Sequence, residues 1–118
     1  MKTNQLTGAA LDWAVAKCDD KIDFGVYGSP VVMDGRLHLH YCGVVLHDAY
    51  SPSTNWAHGG PIIETMGMHI SRTNKTDKEP WAACMTHWID GETPLVAAMR
   101  CYVAYRLGDD VEIPKELK

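Results

Sequence analysis

One phenylalanine, against four tryptophans and five tyrosines in 118 residues, is the first scarcity in this chain. Its aromatic surface is therefore mostly amphipathic, of the kind that serves half-open pockets and interfaces as well as cores. Basic runs are missing too. The formal net charge is -4, and no stretch of lysine and arginine makes a stripe that would neutralise phosphates, so duplex nucleic acid is excluded as the expected ligand. A small pocket needs only one or two guanidinium groups, which Arg36, Arg72, Arg100 or Arg106 can still supply. No apolar run reaches membrane-spanning length, and no membrane partner is expected. Cys18, Cys42, Cys84 and Cys101 lie far apart, without a C-x-x-C pair, and Met1–Gln5 lacks the apolar character of a signal peptide. The expectation is four reduced thiols in a cytoplasm. Internal repeats and low-complexity tracts are absent.

What is present is the composition of a globular chain, 46% hydrophobic and 22% charged, long enough for one core and one domain over residues 1–118. Thr7 is a fitting N-cap for a helix to about Cys18, with Leu11, Val15 and Cys18 on its buried face. Val31–Met33, Asp34-Gly35 and Arg36–His40 read as a hairpin around a two-residue turn, and Val44–Leu46 as its extension past a bulge at Gly43. Met68–Arg72 and Trp81–Trp88 read as strands, Thr73–Glu79 as a polar turn and Asp90-Gly91 as a break. The best-marked element is a helix with Thr93 as N-cap, Pro94 at its first position, an apolar face through Leu95, Ala98, Met99, Tyr102 and Val103, and Gly108 as terminator. Val111 and Ile113 should fold back on the core. The sum is an α+β fold: a small antiparallel sheet with an N-terminal and a C-terminal helix packed on it.

Tyr50–Glu64 concentrates hydroxyls, an amide, an indole, an imidazole and two adjacent glycines where neither helix nor strand periodicity can be read. It reads as a loop restrained by Pro52 and Pro61, either an ordered connection held by its own Ser and Asn side chains or a contact surface built around Trp56. Ser53, Thr54, Asn55, Trp56, His58, Gly59 and Gly60 are the candidate ligand-binding residues. Arg100 is the candidate cation, whether as a surface arginine with a buried stem or as a cation aimed at this loop.

Catalytic signatures are lacking: no H-E-x-x-H, no G-x-S-x-G, no phosphate-cradling glycine loop and no dinucleotide fingerprint. Ser53, His58 and Glu64 hold the residue types of a hydrolytic triad but not its geometry. His38, His40 and Cys42 alternate along a strand in a way that suits zinc, yet the pattern is short. His38 and His40 are placed instead on a solvated face opposite Leu37 and Leu39, and no metal, cofactor or catalytic residue is assigned.

Three stretches in fixed order carry a resemblance: Thr7–Ala16, the Ser51–Trp56 segment with Gly59-Gly60-Pro61, and Thr93–Val103 with Gly108 and Val111–Pro114. Together they resemble the phage NinX-like family. The resemblance implies a phage accessory protein in the host cytoplasm and no established activity. In that setting the residues suit a non-enzymatic binder that sequesters a nucleotide-derived immune signal, an indole stacking the base and an arginine or loop amides meeting phosphate. A protein-interaction inhibitor or an accessory factor in phage recombination is the alternative, and a small hydrolase the third. Exposed aromatics on a small sheet further suggest a homo-oligomer.

Overall fold

The computed structural model describes residues 1–18, 31–33, 36–38, 40–41, 44–45, 50–73 and 77–117. Its centre is a helix of 14 residues, α3 (Pro94–Leu107). The start follows from sequence: Thr93 is extended, its Oγ1 accepts from the Val96 amide at 3.1 Å, and Pro94 brings a preset φ and no surplus donor. Gly108, at φ 90°, ends it. Leu95 to Val103 is buried without interruption, Arg100 included. Over that stretch the helix is covered around its whole circumference, and outside it Pro94 and the last turn, from Ala104 to Leu107, are not buried. The single buried face read from the sequence is therefore corrected, because α3 is sandwiched between layers.

One layer is helix α1 (Gly8–Cys18), whose Leu11, Ala14, Val15 and Ala16 are buried to 0% exposure. Another is a three-stranded antiparallel sheet of β5 (His69–Arg72), β6 (Trp81–Cys84) and β7 (Trp88–Gly91), in sequence order. Cys84 pairs with Trp88 and Trp81 with Gly91, so the single strand read across Trp81–Trp88 is a hairpin. Asp90-Gly91 belongs to its second strand rather than to a break. The reason is local: β7 lies so close to α3 that a Cβ on Gly91 would meet the Ala97 amide nitrogen, and 2.7 Å would separate it from the Ala97 Cα. That glycine serves a close approach, not a turn.

The first hairpin is as read, with β1 (Val31–Met33) pairing β2 (Arg36–His38) and Met33 opposite Arg36; its Asp34-Gly35 turn lies outside the described residues. Leu37 and His38 are both buried, so His38 is not on a solvated face. Val44–Val45 (β4) pairs with His40–Tyr41 (β3) in a second short hairpin instead of extending the first. Gly43, Leu39, Cys42, Leu46 and His47 lie outside the described residues. Among the described residues no three His, Cys, Asp or Glu side chains cluster as metal ligands, and no helix is long and apolar enough to cross a membrane.

The chain ends meet. The Met1 ammonium bonds Asp110 Oδ1 at 3.0 Å and the Val111 carbonyl at 2.9 Å, and Val111 and Ile113 are buried at 5% exposure each. The architecture is α+β with helices flanking an antiparallel sheet, as the sequence indicates. Among the described residues it carries one helix more.

Candidate functional site

That extra helix, α2 (Trp56–Met66), occupies the segment read as a loop. The sequence conceals it, because Gly59, Gly60 and Pro61 are poor helix formers and Pro61 stands inside the helix. Packing and capping hold it instead. Asn55 is extended at the N-cap, with its Oδ1 accepting from the Ala57 amide at 2.9 Å, and Gly67 closes the other end at φ 63°. Gly59 is buried against the preceding turn, where a Cβ would collide with the Pro52 carbonyl oxygen and stand 2.7 Å from Leu95 Cδ2. Only glycine lets α2, that turn and α3 come together there.

The turn Ser51–Thr54 is held by two titratable side chains. The Ser53 amide donates to Asp12 Oδ1 at 2.9 Å, a carboxylate at 6% exposure on α1. The Ser51 amide donates to His58 Nδ1 at 3.1 Å, and the His58 ring stacks on Tyr50 with centroids 5.6 Å apart. Burial pushes the Asp12 carboxyl above its usual range, while bonds from Ser53 and the nearby His58 pull the other way and lose. The Ser53 hydroxyl lies near enough to favour the charged carboxylate, yet in a geometry that completes no hydrogen bond, and it is wholly buried.

The candidate residues thus divide. Asn55, His58 and Gly59 are engaged in building α2 and its turn, and Gly60 lies on the helix with Trp56 Cε3 3.9 Å from where its Cβ would be. Ser53, Thr54 and Trp56 line an open groove of about 340 Å³. Trp56 stands on its rim at 56% exposure. From the start of α1 the groove takes Gly8 and the preceding Thr7, and from the start of α3 it takes Pro94, Leu95 and Val96 with the preceding Glu92 and Thr93. Gly8, Trp56 and Pro94 are the first residues of α1, α2 and α3, so these helices begin on one groove. Helix starts carry amide donors and the positive end of the helix dipole, and their convergence favours an anionic group. The sequence marks Thr7 and Thr93 as caps, but it holds no signal that the two caps share a groove with Trp56.

Arg100 is elsewhere. It is 4% exposed, and its Nε donates to the Leu6 carbonyl at 2.8 Å. One terminal nitrogen meets the Asp90 carbonyl at 2.9 Å and also pairs with Glu79. It is neither a surface arginine nor a cation facing Trp56. The guanidinium ties the N-terminal segment, residue 79 and the end of β7 to the central helix.

A second concavity of about 460 Å³ lies between Lys2–Asn4, the β6–β7 connection and the later half of α3. Trp88 and Tyr105, each 53% exposed, stand on it. Cys101 lines its floor, with its thiol pushed up by burial against the opposing Met85 amide. Cys18, Cys84 and Cys101 form no disulfide, and Cys42 is outside the described residues.

A family model described as bacteriophage P22, NinX matches residues 2–106. Comparison with curated proteins finds no match. The family match covers most of the chain, which belongs to this phage NinX family.

Proposed function

We propose that this NinX-family protein is a non-enzymatic phage accessory factor that captures a nucleotide-derived small molecule, such as a host anti-phage signal, in the groove beneath Trp56. The observation that carries the reading is the meeting of three helix starts with one exposed indole. An indole offers a face for a base, worth about 1–3 kcal/mol per stacked base. Amides at helix starts meet phosphate without needing a cation. That substitution answers the loss of Arg100 from the site, whose guanidinium is spent on Leu6, Asp90 and Glu79. Thr54, exposed on the groove, adds a hydroxyl.

Incubation with a panel of cyclic nucleotides and ADP-ribose derivatives, followed by removal of unbound compound, heat denaturation and chromatography, tests this. Release of an intact compound supports capture. Release of an altered compound makes the protein an enzyme, and no capture refutes the reading.

A protein-interaction role has its own observation in the exposed Trp88 and Tyr105 beside the larger concavity, since exposed aromatics are the commonest anchors of interfaces. A second copy of the chain is the simplest partner. Light scattering over a dilution series that shows only monomer removes that partner.

A further inference from the structure

Resting on the nucleotide reading above, we infer that the base selected in the groove is guanine and that Glu92 reads it. Among the described residues lining the groove, Glu92 alone carries a formal charge. It is exposed, and no ion pair or hydrogen bond of its side chain occurs among the described residues. Its backbone position is fixed, because the next residue, Thr93, caps α3 through the Val96 amide at 3.1 Å.

A carboxylate only accepts hydrogen bonds, and its two oxygens suit two parallel donors. Guanine presents N1–H and the exocyclic N2 amine side by side. Adenine puts a lone-pair nitrogen next to its amine, cytosine does the same, and uracil flanks one donor with two carbonyls. Guanine is thus the base whose edge offers a carboxylate two donors without an opposing acceptor. The same charge repels phosphate, so the anionic end of the ligand belongs at the start of α1. There Gly8, at φ +56° with open space where a Cβ would stand, leaves the approach clear. Trp56 stacks the ring between these two ends.

Equilibrium dialysis of the full chain against GMP, IMP and AMP tests the assignment, using wild type, Glu92→Gln and Glu92→Ala. The expected order is GMP, then IMP, which lacks the N2 amine, then AMP, with GMP ahead of AMP by about tenfold or more. Both variants should bring GMP down to the level of AMP and melt like wild type. Equal affinity of wild type for GMP and AMP, or a guanine preference that survives both variants, overturns the inference while the nucleotide reading stands. Absence of binding by all three at millimolar concentration overturns both.

Discussion

Ser53 and Asp12 are joined by a backbone-to-carboxylate hydrogen bond of 2.9 Å across 41 residues of sequence, and it pins the turn at the groove to the first helix. The carboxylate is buried and the amide has no solvent to fall back on, so the tie is worth more than a surface bond.

Asp12→Ala should cost about 1–3 kcal/mol, since it leaves the Ser53 amide unsatisfied. Asp12→Asn keeps an oxygen acceptor and removes the buried charge, and should cost much less. The pH dependence has a definite sign. Burial raises the folded carboxyl above 3.8, so the folded state binds the proton more tightly than the unfolded chain. This group's contribution is full below 3.8 and is lost as pH rises through the raised folded value. Urea titrations of wild type and Asp12→Asn over the acid range check this: the difference should move against wild type as pH rises. A difference that is flat, or that moves the other way, refutes it.

Three glycines separate by their surroundings. Gly59→Ala and Gly91→Ala drive a methyl into the Pro52 carbonyl and the Ala97 backbone, and each should cost about 1–3 kcal/mol. Gly60 lies in the same helix with its nearest neighbour at 3.9 Å, so Gly60→Ala should stabilise by about 0.5–1 kcal/mol through helix propensity. Thermal melts of the three variants suffice. A destabilised Gly60→Ala would show that α2 is not helical there.

The contrast between α3 and α2 shows what was legible. Thr93, Pro94 and Gly108 are local signals, and the helix they bound runs from Pro94 to Leu107 as read. Gly59-Gly60-Pro61 is local too, but it points away from helix, and it is overruled by the fit of Gly59 against Pro52 and Leu95, which no periodicity encodes. The same limit hid the β6–β7 hairpin, whose Gly91 resembles turn chemistry and in fact admits Ala97. Ser53, Thr54 and Trp56 were legible as a contact cluster by residue type. Their union with Thr7, Gly8 and Glu92 was not, because it depends on how three helix starts meet. Arg100 misled for a related reason: its partners Leu6, Glu79 and Asp90 come from three distant stretches.

Arg100→Lys should therefore fail as a conservative change. A lysine has no fork to reach the Leu6 and Asp90 carbonyls together, and breaking such a buried set costs about 3–5 kcal/mol. The expected result is a sharply lowered melting temperature with unaltered capture by the fraction that stays folded. A normal melt with lost capture would return Arg100 to the binding site.

The exposure of Trp56 leads to the most direct measurement, paired melting and capture assays on wild type and Trp56→Ala. With the ring 56% exposed, its loss should change stability by no more than about 0.5 kcal/mol. Removing the stacking face should abolish capture of whichever compound wild type releases intact on heating. A melting temperature within a degree or two of wild type, with the captured compound gone, is the expected pair of results. Undiminished capture by Trp56→Ala, or a loss of about 3–5 kcal/mol of stability marking a buried structural ring, would contradict the groove beneath Trp56 as the binding site.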